Sequence, residues 1–265
     1  MSLLLCGDPH GQFAPIIDAA RDHPSSAVVL LGDLAPDAPL HDVLGPIADR
    51  VWWIPGNHDA DSTEAIERTW GSEMAQRNLH GEVVEIAGVT IAGLGNVFRP
   101  TVWMPTDTSL TGQPAVRFSS REAHARATPR QDRYLGGPHF KHRGTIYPEE
   151  VRRLHGRRAD VLVTHEAGGC HPYGFGVIDE LARSLEVQLH VHGHQHDARW
   201  RHEDQRAKWR ELGFPSIGVG LRGITLFQPG EGIEVLIPGE LDGLPAASTL
   251  DMCGGTFSTG PGVPQ

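Results

Sequence analysis

Histidine, aspartate and asparagine occur in short clusters just after the apolar runs of this chain, and these side chains can bind metal ions or transfer protons. Sixteen histidines occur among 265 residues. The clusters are, in chain order, Asp8-Pro9-His10, Gly32-Asp33, Gly56-Asn57-His58-Asp59, Thr164-His165 and Gly193-His194-Gln195-His196. Their carboxylate, amide and imidazole groups suit Mn, Fe or Zn, and they contain none of the thiolates of a structural zinc site. The clusters therefore predict a site for divalent metal ions.

Each cluster by itself is weak evidence for a metal site. An isolated Asp-x-His is common by chance, and an aspartate after a strand is more often a helix cap. The pair His194 and His196 is more specific, because alternate residues of an extended segment face the same side. His190 and His192 continue this spacing backwards, and we assign them to the strand or to the surroundings of the ligands. The feature that indicates one shared site is that all five clusters follow strand candidates.

The first part of the chain alternates apolar runs with amphipathic segments. Strands are predicted at Leu3–Cys6, Ala27–Leu31 and Val51–Ile54, with helices at Ala14–Arg21 and Leu40–Ala48 between them. This β-α-β-α-β order produces parallel strands joined by crossover helices. Ligands of open α/β sheets bind outside the carboxyl ends of the strands. The first three clusters are therefore expected at one common edge.

Elements predicted further along the chain bring the remaining clusters into the same pattern. A tight hairpin joins two strands, two more strands precede His165 and Gly193, and two helices and three short strands complete the series. The predicted strands are Glu82–Ile86, Val89–Leu94, Asp160–Thr164, Val187–His192, Ser216–Val219, Ile224–Phe227 and Ile233–Leu236. The predicted helices are Pro148–His155 and Val177–Leu185. Residues 96–147 lack clean periodicity and are predicted to be an insertion or long loop. Residues 1–238 would form one domain, and residues 239–265, rich in Gly, Pro and Ser, an irregular tail.

Charge is distributed unevenly along the chain. The formal net charge is −10, which argues weakly against a protein that coats nucleic acid. Residues 117–158 nevertheless hold eleven basic and four acidic residues, a segment that could steer an anionic substrate or form a solvated helix face. No apolar run is long enough to span a bilayer or to serve as a signal peptide, and the three cysteines are too few for a disulfide framework. A cytoplasmic location is therefore expected.

The order and content of the five clusters, from Asp8 to His196, resemble the calcineurin-like metallophosphoesterase superfamily. The resemblance implies an α/β fold with four layers, an αββα sandwich of two mixed β-sheets flanked by helices, with a dinuclear metal site at the carboxyl ends of the strands. It also implies a ligand set, in which Asp33 bridges the two ions. The first ion would be bound by Asp8, His10 and His196, and the second by Asn57, His165 and His194. Mn²⁺ is the ion expected at both positions, with Fe or Zn as alternatives.

The activity implied by the resemblance is hydrolysis of phosphoester bonds, by a phosphodiesterase or a phosphatase. The nucleophile would be a hydroxide held by both ions, and His58 would be the general acid that protonates the leaving group. Asp37 is expected to orient His58. Arg99 is expected to contact the phosphate, because a guanidinium fork matches phosphate oxygens. The spacing of Asp33 and Asp37, and Asp59 where the phosphoprotein phosphatase branch has Glu, argue against a protein phosphatase.

Two other functions stay open. Some members of the superfamily resemble the enzymes but act as scaffolds, having lost the metal or the acid; here all seven ligands and His58 are present. A nuclease would use the basic segment 117–158, although the overall acidity argues against nucleic acid as a partner. A small anionic phosphoester is the expected partner, and the sequence does not determine the oligomeric state.

Overall fold

The computed structural model of the protein describes residues 2–105, 115–198, 203–243, 248–250 and 257–258. The strands are β1 (Leu3–Cys6), β2 (Ala27–Leu30), β3 (Val51–Trp53), β4 (Val83–Ile86), β5 (Val89–Leu94), β6 (Trp103–Met104), β7 (Ala115–Val116), β8 (Val161–Thr164), β9 (Leu189–His192), β10 (Ser216–Gly218), β11 (Ile224–Gln228), β12 (Gly232–Ile237), β13 (Ser248–Leu250) and β14 (Phe257–Ser258). The α-helices are α1 (Ala14–Asp22), α2 (Leu40–Leu44), α3 (Thr63–Thr69), α4 (Arg121–Ala127), α5 (Pro148–Leu154), α6 (Gly176–Leu185) and α7 (Glu203–Leu212).

Two mixed β-sheets form the centre of the fold. The larger sheet has the order β14-β13-β12-β11-β1-β2-β3, in which β1, β2 and β3 are parallel and the other neighbours antiparallel. The smaller sheet has the order β10-β9-β8-β5-β4, in which only β4 is antiparallel to its neighbour. A two-stranded pair, β6 and β7, lies within the insertion. Five parallel strands, β1, β2, β3, β8 and β9, thus end just before the five clusters.

Three apolar layers confirm the αββα sandwich. Leu3 and Leu5 of the larger sheet pack with Val163 and Val191 of the smaller one in the layer between the sheets. The other face of the larger sheet is covered by α1, α2 and the 3₁₀ helix Gly45–Arg50. The other face of the smaller sheet is covered by α5 and α6. Because β1, β2 and β8 are buried on both faces, their sequences are almost continuously apolar rather than alternating, whereas buried β9 alternates apolar residues with His190 and His192.

Several boundaries differ from those predicted. The predicted helix Leu40–Ala48 ends at Leu44, where Gly45 has a φ of 51° and Pro46 follows; the chain continues as a 3₁₀ helix. Three helices, α3, α4 and α7, were not predicted. The first has a sequence signal, since Ser62 accepts a hydrogen bond from Ala65 N at 3.1 Å as its N-cap.

The segment at 239–265, expected to be an irregular tail outside the domain, is partly integrated into it. Ser248–Leu250 pairs with β12, and Phe257–Ser258 pairs with it in turn, so the tail extends the larger sheet. Asp242 is buried and accepts hydrogen bonds from Ala198 N at 2.7 Å and from Gly239 N at 2.8 Å. Cys253 and the rest of the tail lie outside the described residues.

The insertion at 96–147 also contains regular structure in its described part. It includes β6, α4 and the 3₁₀ helix Phe140–Gly144, while residues 106–114 lie outside the described residues. These elements are short, which explains why the sequence of this segment lacks clean periodicity. Across the described part of the chain, no helix combines the length and the apolar character that crossing a bilayer requires.

Candidate functional site

The five clusters meet at the carboxyl edge of the two sheets. Two groups of side chains there could each hold a metal ion, with all ligand atoms of a group within 4.8 Å of one another. The first group is Asp8, His10, Asp33 and His196; the second is Asp33, His165 and His194. Asp33 belongs to both groups. The edge formed by these six residues and Asn57 is called the ligand edge below.

In the first group, two imidazoles and two carboxylates face one point. His10 Nε2 lies 3.4 Å from His196 Nε2 and 3.9 Å from Asp33 Oδ2. His196 Nε2 lies 3.9 Å from Asp8 Oδ1. Two imidazole nitrogens at this separation present lone pairs to each other unless a cation or a proton stands between them. The arrangement suits a divalent cation.

The second group gives a sharper test of metal binding. His165 Nδ1 lies 2.7 Å from the carbonyl oxygen of Leu31, which can only accept, so Nδ1 carries the proton. His165 Nε2 then offers a lone pair, yet it faces Asn57 Oδ1 at 3.2 Å and Asp33 Oδ1 at 3.5 Å. Three acceptors facing one another require a positive charge among them, from a metal ion or from a second proton on His165. Asn57 therefore joins the second group, and the residues of both groups fit divalent metal ions.

Electrostatics at the ligand edge also favour a cation. Burial acts to lower the pKa of His165, but the carboxylates of Asp33 and Asp8 outweigh it and raise that pKa to about 10. Burial raises the pKa of Asp8 to about 7, helped by the neighbouring charge of Asp33. Both carboxylates are almost completely buried. Such buried anions are stable only when a positive charge compensates them.

The backbone at the ligands is unusual. Five of the seven have φ in the left-handed region, with 39° at Asp8, 42° at His10, 52° at Asp33, 66° at His194 and 58° at His196. This conformation costs a non-glycine residue about 1–3 kcal/mol and tends to cluster at functional sites. No sequence pattern indicated it. The strain supports the view that these side chains are held in place for binding rather than for stability.

Two glycines allow the strands to bring the ligands together. A Cβ on Gly56 would collide with Asp33 Oδ1 and lie 2.7 Å from His165 Cε1. Gly32 has a φ of 99°, and a Cβ there would collide with His165 Nδ1. The glycines in the sequence clusters thus make space for ligand side chains from other strands.

Asp59 links two of the clusters, a role that the sequence did not reveal. It is fully buried and accepts hydrogen bonds from Leu34 N at 2.8 Å and Gly56 N at 2.7 Å. Its carboxylate therefore joins the turn after Asp33 to the turn before Asn57. Burial and the charge of Asp33 raise the pKa of Asp59 to about 6.

His58 lies beside the first group, but Asp37 does not orient it. His58 Nδ1 forms a hydrogen bond of 2.6 Å with Asp61 Oδ2, three residues along the same turn. Asp37 is exposed, and among the described residues no hydrogen bond or ion pair joins it to His58. The physical reason is the turn at 34–36, where Ala35 has a φ of 44° and Asp59 holds the backbone. The spacing Asn-His-x-x-Asp was the signal for Asp61.

The ring of His58 is close to the candidate ligands while remaining in contact with solvent. Its centroid lies 5.7 Å from that of His10, and half of its side chain is exposed. Its backbone N donates to Asp33 Oδ1 at 2.8 Å. Burial acts to lower the pKa of His58, but the hydrogen bond to Asp61 and the nearby carboxylates raise it overall.

Arg99 lies near the ligand edge, at the start of the insertion. Burial lowers the pKa of Arg99. The nearby carboxylates of Asp61, Glu166 and Asp33 oppose this effect. Its buried Nε has no hydrogen-bond partner among the described residues. The insertion also reaches His58, because the 3₁₀ helix Phe140–Gly144 packs on the turn His58–Ala60. A Cβ on Gly144 would lie 3.2 Å from Ala60 Cβ.

Comparison with known proteins places these features in a wider group. A family model described as calcineurin-like phosphoesterase matches residues 1–198. An uncharacterized protein of Haemophilus influenzae is 36% identical over 217 residues, which are 81% of this chain and 92% of that protein. The crystal structure of TT1561 of Thermus thermophilus superposes with a TM-score of 0.51 at 17% identity, over 98% of this chain and 97% of that one. The calcineurin-like phosphoesterase YfkN from Bacillus subtilis gives a TM-score of 0.45 at 15% identity, over 98% and 92%. At these identities the structural likeness concerns the fold alone.

Proposed function

This chain belongs to the calcineurin-like phosphoesterase family, and we propose that it hydrolyses small anionic phosphoesters at the ligand edge with His58 as general acid. The observation that carries the proposal is that Asp33 is shared by two groups of metal-ligating side chains. A shared carboxylate is how a protein holds two ions close enough to act on one phosphoryl group. Two divalent ions bound there would act as Lewis acids toward the phosphoryl oxygens and lower the pKa of water.

The ions proposed are Mn²⁺, with Fe and Zn as alternatives. Imidazole nitrogens together with carboxylate and amide oxygens suit all three metals, so the choice depends on availability as well as on the donor set. Asp8, His10 and His196 would hold the first ion, and Asn57, His165 and His194 the second. Metal analysis of the protein purified without added metal would identify the native ions.

His58 has the geometry of a proton donor to the leaving group. Because the Asp61 carboxylate can only accept a hydrogen bond from Nδ1, the proton available for transfer is that on Nε2. In the reaction, water supplies an oxygen to phosphorus, the bond between phosphorus and the leaving oxygen breaks, and that oxygen takes the proton from His58. Asp61 would orient the ring, and the resulting neutral imidazole would be reprotonated from solvent, to which it is exposed.

Arg99 is the proposed contact for the substrate's phosphoryl group or for a neighbouring anionic group. A guanidinium binds phosphate oxygens through two parallel hydrogen bonds. The carboxylates of Asp61, Glu166 and Asp33 favour its charged form, which supports a cationic contact near the ligand edge. A small substrate is proposed, because the insertion packs directly on the turn that carries His58.

The first test compares two chromogenic esters with the Mn²⁺-loaded protein. Faster hydrolysis of bis-para-nitrophenyl phosphate would make the chain a phosphodiesterase, and faster hydrolysis of para-nitrophenyl phosphate would make it a phosphatase. His58→Ala is expected to lose about 10²–10⁴-fold in turnover of alkyl esters, whose leaving groups need a proton, and much less with para-nitrophenyl esters. Metal content should stay unchanged. Two bound ions without turnover of any ester would favour a scaffold.

A nuclease is the second candidate, and the structure gives it little support. Most of the basic side chains at 117–158 have partners within the protein. Arg121 contacts Glu150, Arg126 contacts Glu122, Arg143 stacks on Trp70, Arg153 donates to Gly81 O and Arg158 contacts Glu186. Binding to nucleic acid that falls steeply with added salt would favour the nuclease.

A further inference from the structure

One carboxylate at the ligand edge belongs to neither group of ligands. Glu166 directly follows His165, and its side chain is 6% exposed. Its Oε1 accepts a hydrogen bond from Phe98 N at 3.1 Å, and its Oε2 lies 3.8 Å from His194 Nε2. The carboxylate therefore has one oxygen on the backbone of the insertion and the other beside a candidate ligand of the second ion.

The surroundings of Glu166 compensate its charge only in part. Among the described residues, His194 Nε2 is the only nitrogen of a basic side chain within 4.0 Å of the carboxylate. As a ligand atom, that nitrogen offers a lone pair, so it is an acceptor facing another acceptor. A buried carboxylate in such a place is costly unless a cation is near. His165 and, to a smaller extent, Arg99 contribute positive charge from longer distances.

We propose that Glu166 is an additional anionic group of the second metal position, whose charge strengthens binding of the second ion. The two positions differ without it. The first has the carboxylates of Asp8 and Asp33, whereas the second has only Asp33 together with neutral Asn57, His165 and His194. With Glu166, each position would have two carboxylates near its ion. The number of charged groups near a bound cation tunes its affinity.

The Oε1 atom of Glu166 connects the second metal position to the segment that carries Arg99. Because Oε1 holds Phe98 N, the residue just before Arg99 is fixed to the strand end that carries His165. The proposed phosphate contact and the second ion are thus connected through one side chain. The inference rests on the proposed two-ion site, but not on the identity of the ester.

Glu166→Gln separates the two roles of the side chain. The amide oxygen still accepts the hydrogen bond from Phe98 N, while the negative charge is lost. Titration of the metal-free protein with Mn²⁺, followed calorimetrically, should show two ions in the wild type. In the variant the first ion should bind as before and the second at least tenfold more weakly. The control is Glu150→Gln, a buried glutamate bonded to Arg121 and His80, which should leave both affinities within twofold.

Thermal unfolding provides an independent measurement of the same charge. Without metal, burial of the Glu166 side chain makes its charged form unfavourable. The metal-free Glu166→Gln protein should therefore unfold at a higher temperature than the wild type, and Mn²⁺ should raise that temperature less. A side chain with a purely structural role would give a lower unfolding temperature in both states. Glu166→Asp, which keeps the charge, should bind the second ion more tightly than Glu166→Gln.

Three results would overturn the proposal: equal second-ion affinity in wild type and Glu166→Gln, a single bound ion in the wild type, or Glu166→Asp binding more weakly than Glu166→Gln. Failure of the proposed function looks different. A wild type that binds two ions and hydrolyses no ester contradicts the function, whereas selective loss of the second ion in Glu166→Gln would still support the role of Glu166.

Discussion

The ligand edge and the insertion meet at His58, but the fold positions them by different means. The ligands follow buried strands directly, five of them have left-handed backbone, and glycines give their side chains room. The insertion is held instead by contacts between side chains, such as Arg121 with Glu150 and Arg143 over the ring of Trp70. Backbone conformation thus determines the positions of the candidate ligands, while side-chain contacts hold the insertion against the turn that carries His58. Substitutions in the two regions should therefore have different consequences.

The largest effect is expected from adding one methyl group at the ligand edge. Gly56→Ala would place a Cβ against Asp33 and His165, and neither can move because both are buried ligands. Affinity for the ions should fall by about 100-fold or more, with turnover falling in parallel. Metal stoichiometry after dialysis measures the effect. Gly176→Ala is the matched control, because its Cβ meets nothing within 4 Å; equal metal content in both variants would show that Gly56 does not shape the site.

A smaller effect is expected where the two regions meet. Asp61→Asn should reduce turnover of alkyl phosphoesters about 10- to 100-fold, because the ring of His58 loses the carboxylate that holds Nδ1. Para-nitrophenyl esters should lose much less, and KM should change little. Asp37→Asn serves as the control and should behave as the wild type. If Asp37→Asn were the slower variant, the sequence-based role of Asp37 would be restored.

Loosening the insertion should affect stability more than metal binding. Burial acts to raise the pKa of Glu150, but His80 and Arg121 outweigh it and lower that pKa to about 2. The ionised carboxylate thus stabilises the fold at neutral pH by about 3 kcal/mol, because each tenfold change in an acid dissociation constant corresponds to about 1.4 kcal/mol.

Glu150→Gln is therefore expected to lower the free energy of unfolding by about that amount at pH 7. Since the folded pKa is depressed, this difference should persist above about pH 4.5 and shrink as the pH falls toward about 2. Urea denaturation at several pH values measures it. A difference that grew on acidification would contradict the assigned pairing.

The smallest effect is expected on the exposed face of the insertion. Among the described residues, the side chain of Arg126 pairs with exposed Glu122 of the same helix, and Arg130 and Arg157 are also exposed. Replacing the three by Ala should leave turnover of small phosphoesters within twofold, because exposed charges are screened by salt. A large loss with nucleic acid substrates alone would instead support the nuclease. Steady-state kinetics on both substrate types distinguishes the two.

The sequence predicted the parts of the fold whose signals are local. Short runs rich in apolar residues mark the parallel strands, so the predictions for β1, β2, β3, β8 and β9 agree with the structure to within two residues. The ligand clusters follow those runs directly, and the structure groups them as the resemblance implied. Elements without such runs were missed, including α7 and the strands of the tail. The predicted helix Leu40–Ala48 failed at Gly45, because a backbone with positive φ cannot continue a helix.

The family, the strand order of the first half and the candidate metal ligands could be predicted from the sequence, because these depend on residue type and position along one strand. Only the tertiary structure shows which carboxylates contact His58, the turns of the site and the candidate ligands. Asp61 rather than Asp37 holds His58, Asp59 joins two turns, and Glu166 lies beside His194. Such partners depend on how loops from different strands close in space, which neither periodicity nor motif spacing encodes.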